Sequence, residues 1–143
     1  MQIKQLNIQT GDNTDLLEFM ELVASVVTQR GNDPTQCIHS EAMAVGVAQG
    51  GIIAFVPVGQ VGIQIWERGA HWLNKGDQVS ILRAQWMLDA TDIAQVAFMN
   101  AGIAKVKSMT TAGLTMVSIH TADQLYPIAP HCGLEKLMDN YKV

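Results

Sequence analysis

Apolar residues recur along this chain at two periods, and the places where the period changes mark its elements. Ile3, Leu6 and Ile8 alternate weakly and predict a strand within the first ten residues. Thr10-Gly11-Asp12-Asn13-Thr14 is turn chemistry. Asp12 or Thr14 can cap a helix there, with Asp15 and Glu18 in the first turn, where carboxylates suit the helix dipole. Leu16, Phe19, Met20, Val23, Val26 and Val27 then fall at helical spacing until Gly31. A second helix is predicted from Asp33, as N-cap, through Pro34 at the first helical position and Gln36 three residues after the cap. It runs to about Ala48, where Gln49-Gly50-Gly51 stops it.

The period then drops to two. Ile52 to Val58 and a strand carrying Val61, Ile63 and Ile65 on one face form a hairpin around Gly59-Gln60, with Pro57 marking an irregularity in the first strand. Glu67 to Asp77 reads as a polar loop holding Arg68, His71 and Trp72. Gln78 to Leu88 is apolar on both faces, as a central strand should be. Asp89-Ala90-Thr91-Asp92 caps a helix over 92–109, with Ile93, Val96, Ala97, Ala101, Ala104 and Val106 expected as its buried stripe. A strand is expected over 114–119. The segment 122–132 holds Pro127 and Pro130, so it is at most a short or broken helix. Gly133 precedes a last strand over 134–143.

Composition narrows the picture. The 143 residues are 48% hydrophobic and only 15% charged, which excludes a disordered tail or a coiled coil and predicts one domain over 1–143. The net charge of −4 argues against a nucleic-acid partner, since phosphate contacts need clustered Lys and Arg. Asp12, Asp15, Glu18, Glu21, Asp33 and Glu41 stand against only Lys4 and Arg30 in the first 41 residues, a solvated acidic face. Cys37 and Cys132 cannot make a disulfide framework, which fits a reduced, cytoplasmic setting. The most apolar run, GIIAFVPVG over 51–59, falls far short of the ~20 residues that span a bilayer, so no membrane partner is expected.

The order β-α-α-β-β-β-α-β-α-β predicts an α/β fold, a mixed and mostly antiparallel central sheet flanked by helices on both faces. Along essentially the whole chain it resembles the GNAT fold, that of the GCN5-related N-acetyltransferases. Gly51-Ile52-Ile53-Ala54-Phe55-Val56, followed by Val61-Gly62-Ile63-Gln64-Ile65-Trp66, is similar to the family's hairpin. Cys132-Gly133-Leu134-Glu135-Lys136-Leu137, with Tyr141 beyond it, resembles the start of the family's last strand. Small members with few signatures are frequent in bacteriophage genomes, and this sequence has that look.

The resemblance implies acyl transfer from acetyl-CoA or another acyl-CoA to an amine, with the cofactor's pantetheine arm in a gap between the middle strands. The family holds the pyrophosphate on backbone N–H groups where the helix after the long fourth strand begins, in a loop Gln/Arg-x-x-Gly-x-Gly/Ala. The corresponding cofactor-binding positions here are Leu88, Ala90, Thr91, Asp92, Ile93 and Ala94, with Asp89 among them. They contain no glycine, and Asp89 and Asp92 would repel a dianion while capping the N–H groups it needs. The family's general acid is commonly a Tyr four residues before the glycine that opens the last strand. Ala129 stands there, and Tyr126 is the displaced candidate; its plainer reading is a tyrosine packed at the rim. Glu67, at the end of the second hairpin strand, is the candidate base, acting through water; its plainer reading is a solvated strand end. The losses leave a second reading, a non-catalytic GNAT-like module that binds a protein partner or itself, for example in a phage particle.

Other chemistry has less support. Cys37, His39, His71, His120, His131 and Cys132 lack C-x-x-C or H-x-x-x-H spacing, so no metal is expected. No G-x-S-x-G elbow is present, and Gly50-Gly51 lacks the Gly-Lys-Ser/Thr of a phosphate loop. Trp66 and Trp86 are expected in the core, whereas Trp72 lies in a polar loop, where it covers a sheet end or forms a contact surface.

Overall fold

A computed structural model describes residues 1–9, 12–31, 38–70, 78–109, 113–137 and 141. Five strands lie side by side in chain order: β1 (Ile3–Gln5), β2 (Ile52–Pro57), β3 (Gly62–Ala70), β4 (Gln78–Met87) and β5 (Leu114–Val117). The first three pairings are antiparallel and β4 with β5 is parallel, because a helix carries the chain back between them. The helices are α1 (Asn13–Arg30), α2 (Ser40–Ala48) and α3 (Asp92–Met109). The expected sheet, mixed and mostly antiparallel with helices on both faces, is what the chain builds.

Asp12 is the cap of α1, its carboxylate accepting from Thr14 and Asp15 N–H, and Gly31 ends the helix at φ 71°. Phe19, Leu22, Val23 and Val26 face the sheet. Met20 and Val27, expected in that stripe, are 59% and 43% exposed, because Leu22 completes the i, i+3, i+4, i+7 set without them. The second helix begins later than expected. His39 caps α2 with extended backbone (φ −80°, ψ 101°), and its Nδ1 accepts from Ala42 N–H. No single helix therefore runs from Pro34 to Ala48, and Asp33 to Gln36 lie outside the described residues. Strand β3 also continues through Glu67 to Ala70, where a loop was expected; His71 and Trp72 are not described.

Two cores sandwich the sheet. Ala54, Val56, Ile63, Ile65 and Ala84 pack with Phe19, Leu22, Val23 and Val26 of α1 on one face. Phe55, Trp66, Leu82 and Met87 pack with Phe98, Met99 and Val106 of α3 and with Leu125 on the other. The expected limits of α3 hold, but of its expected stripe only Val106 is fully buried. Gln95, Phe98, Met99, Gly102 and Val106 face inward and Ile93 is 82% exposed. The bulky side chains take the sheet, and the small Ala101 and Ala104 turn away from its most buried part.

Past β5 the chain runs through turns into one short 3-10 helix, Ala129–His131, in keeping with the short or broken helix expected there. Successive three-residue bonds (Asp123 N–H to His120, Tyr126 to Asp123, Ile128 to Leu125, His131 to Ile128) shape 120–131, as two prolines require. The expected last strand does not appear over 134–137, where all four residues are exposed and irregular; 138–140 and 142–143 lie outside the described residues. No helix among the described residues is long and apolar enough to cross a membrane.

Candidate functional site

The site follows from one bulge. β4 pairs with β5 only from Val79 to Leu82, opposite Leu114 to Val117. On its other edge β4 pairs with β3, but Ile65 faces Ala84 while Trp66 faces Leu82, so Arg83 is an extra residue. A bulge bends its strand and increases local twist. Beyond it, residues 83–87 keep β3 on one side and have no described strand on the other. A wedge opens between β4 and the segment that follows β5.

That wedge is filled by the chain itself. On the α1 side, Arg30 reaches across it. Its Nη2 donates to the carbonyl of Arg83 at 2.6 Å and to Asp123 at 2.8 Å, and its Nε donates to Asp123 at 3.0 Å. Asp123 is nearly fully buried and also accepts the N–H of His120. Neutral His120 accepts Ala122 N–H on Nδ1, which leaves the proton on Nε2, and that nitrogen is buried without a partner among the described residues. On the α3 side, the Gln124 amide pairs with Met87 as a strand would. Its oxygen accepts Met87 N–H at 2.9 Å and its NH2 donates to Met87 C=O at 3.0 Å.

Gln124 is the end of a longer relay. Trp66 Nε1 donates to Gln64, Gln64 to Gln85, Gln85 to Gln95, and Gln95 to Gln124, at 2.6 to 3.0 Å. Every amide donates in the same direction, so each bond polarises the next and none can flip without placing two donors or two acceptors together. Gln64, Gln85 and Gln95 are buried, and Gly102 leaves the room for Gln64: a Cβ on it would overlap the Gln64 oxygen. None of these glutamines is singled out by periodicity. Their signal is polarity at inward-facing positions, Gln64 between Ile63 and Ile65 and Gln85 between Ala84 and Trp86.

The predicted site residues lie around this wedge without forming one cluster. Glu67 stands opposite Ile81, where β4 is still paired to β5, and its carboxylate binds Arg83 Nε at 2.8 Å. Arg83 also donates to the Ser118 hydroxyl. Tyr126 is 47% exposed in the turn after Gln124. No hydrogen bond joins Glu67 to Tyr126. At the start of α3, Thr91 rather than an aspartate is the cap: its hydroxyl accepts Ala94 N–H at 3.2 Å. Leu88, Thr91, Asp92 and Ile93 are exposed, Ala90 and Ala94 half-buried, and Asp89 takes a left-handed φ of 50°. On the opposite side of β4, Ala24, Ser25, Thr28 and Gln29 of α1 and the ring of Trp86 line an open hollow of about 440 Å³. Among the described residues no group of His, Cys, Asp and Glu could hold a metal.

No family model matches the sequence, and no curated protein matches it. Solved structures do. A ribosomal-protein-alanine N-acetyltransferase from Brucella melitensis biovar Abortus 2308 superposes with a TM-score of 0.65 at 15% identity, covering 100% of this chain and 99% of that one. An aminoglycoside acetyltransferase from an uncultured soil metagenomic sample, in complex with sisomicin, gives 0.63 at 13%, covering 99% and 95%. A predicted acetyltransferase with acetyl-CoA from Clostridium acetobutylicum gives 0.63 at 9%, covering 99% and 94%. The fold is the GNAT fold.

A GNAT-fold acyltransferase would place acyl-CoA in the wedge and its pyrophosphate at the start of α3, and the residues present here do not suit either. The Met87 amide and carbonyl, where an arm lying along β4 would bind, are already taken by Gln124. At α3, one N–H goes to Thr91, and Asp89 and Asp92 stand beside the remainder. Unit like charges about 4 Å apart repel by about 1 kcal/mol even in water, and the pyrophosphate carries two.

Proposed function

We propose that this chain is a GNAT-fold module that works by binding, as a structural or protein-contacting component, and not by acyl transfer. The observation that carries the reading is the Gln124–Met87 pair, which closes the free edge of β4 with the chain's own amide. The turn at Leu88 to Ala94, without glycine and flanked by two aspartates, and the engagement of Glu67 by Arg83 support it. A protein contact is supported by α1, where Leu17, Met20, Ala24 and Val27 recur at 3-4-3 spacing on its exposed side.

A second reading has one observation in its favour. The bulge at Arg83 and the divergence of β4 from β5 keep the wedge that an acyl-CoA N-acyltransferase needs, and the three acetyltransferases above share the fold. In that reading Glu67 would be the base and Tyr126 the acid.

An assay of thioester consumption with acetyl-CoA and a panel of primary amines separates the two, run beside sedimentation of the same sample. The binding reading expects no turnover above the uncatalysed rate and a self-associating or partner-bound species. A monomer that turns over acetyl-CoA would overturn it.

A further inference from the structure

We propose that Gln124 is a latch over an amide-recognising strand edge, and that its removal gives the wedge affinity for an extended amide chain such as pantetheine. The inference rests on the reading of this chain as one that does not take acyl-CoA, and it names the barrier responsible. Side chains at wedge mouths usually fill space; this one reproduces a ladder pair. Its carboxamide presents one acceptor to Met87 N–H and one donor to Met87 C=O, the complement that a peptide-like amide from a ligand would present.

The edge beneath it is built for more than one residue. Leu88 N–H bonds to the carbonyl of Val61, the residue before β3, so Met87, one residue earlier, faces the wedge. The two-residue alternation of a strand turns the Gln85 backbone the same way. Residues 85 and 87 thus repeat one donor–acceptor pair along the wedge, and pantetheine carries two amides along an extended chain. Above the bulge the edge is already spent: Leu82 C=O accepts Ser118 N–H and Arg83 C=O accepts Arg30. Gln124 stands on Met87 in the remainder, and the relay through Gln95 fixes which end of its amide meets which backbone group.

The test compares the wild-type chain with Gln124→Ala and Gln124→Met, the second keeping most of the volume, after thermal melts show which variants fold. Calorimetry is run with pantetheine and, separately, with CoA. The latch predicts that folded variants bind pantetheine at least roughly tenfold tighter than wild type, the gain expected when two hydrogen bonds no longer have to be displaced. The gain for CoA should be no larger, because Asp89 and Asp92 remain. Folded variants no better than wild type would overturn the latch. A wild type that already binds CoA would instead overturn the binding-module reading, and the ratio of variant to wild type would still decide on the latch. Amide exchange on the wild type decides without any variant: Met87 N–H should be protected like a paired strand amide, and exchange at an open-loop rate would overturn the proposal.

Discussion

Single residues carry both the tightness of this sheet and its sensitivity to pH. Gly102 is a close approach between α3 and the relay, and an added methyl there meets the Gln64 oxygen. Gly102→Ala should therefore destabilise the fold by about 1–3 kcal/mol, although alanine is the better helix former, because overpacking outweighs propensity. Urea denaturation measures it, and a stabilised variant would contradict the packing. Asp15 ties β1 to α1. The N–H of Asn7 at 2.7 Å holds its carboxyl below the usual carboxylate range, with the Lys4 ammonium adding to the effect. A carboxyl with a lowered native pKa stabilises the fold above its unfolded pKa, and that contribution fades as pH falls towards the native value. Asp15→Asn should thus be less stable than wild type at pH 7, with the gap narrowing below about pH 4. Urea midpoints at the two pH values check this, and a gap that widens in acid would contradict it.

Elements meet at the wedge through a buried ion pair as well as through apolar contact. Arg30, in the last turn of α1, holds the bulged β4 and the turn after β5 together, and the side chains of Arg30 and Asp123 are only 12% and 2% exposed. Removing one partner of such a pair strands the other, which costs about 3–5 kcal/mol. Arg30→Met should lose about that much and should speed amide exchange in 120–126 before it affects β2 or β3. Uniform loss of protection across the sheet would contradict a local clamp. This clamp was not legible in the sequence. Arg30 reads as a basic residue suited to a helix end, and only the fold brings it to Asp123, 93 positions away. Apolar periodicity did reveal the α3 limits and the hairpin, because those depend on neighbours in the chain. It misplaced much of the stripes of α1 and α3, where burial is decided by which side chain meets the sheet, and the capping chemistry at Asp33-Pro34-Thr35-Gln36 carried the second helix through His39, whose backbone is extended.

At the scale of the molecule, the fold is shared with acetyltransferase structures, while the residues lining the wedge are this chain's own. The mixed, mostly antiparallel sheet with helices on both faces was readable from element order, although the last strand expected over 134–143 does not appear over 134–137, and structures only 9–15% identical share the fold. The glycine-free turn at 88–94 was equally plain in the sequence. The closure of the wedge was not, since Gln124 lies in a proline-containing segment with no pattern to single it out and acts on a strand 37 positions earlier. A fold of this kind does not by itself supply a reaction. Here the chain's own amide stands on the β4 edge and two carboxylates stand at the α3 start. The most direct test is calorimetry of the unaltered chain with CoA, paired with a thermal melt. A ligand at about 100 times its Kd stabilises the folded state by about 2.7 kcal/mol. The account predicts no binding heat and no rise in melting temperature; saturable binding with a matching rise would contradict it.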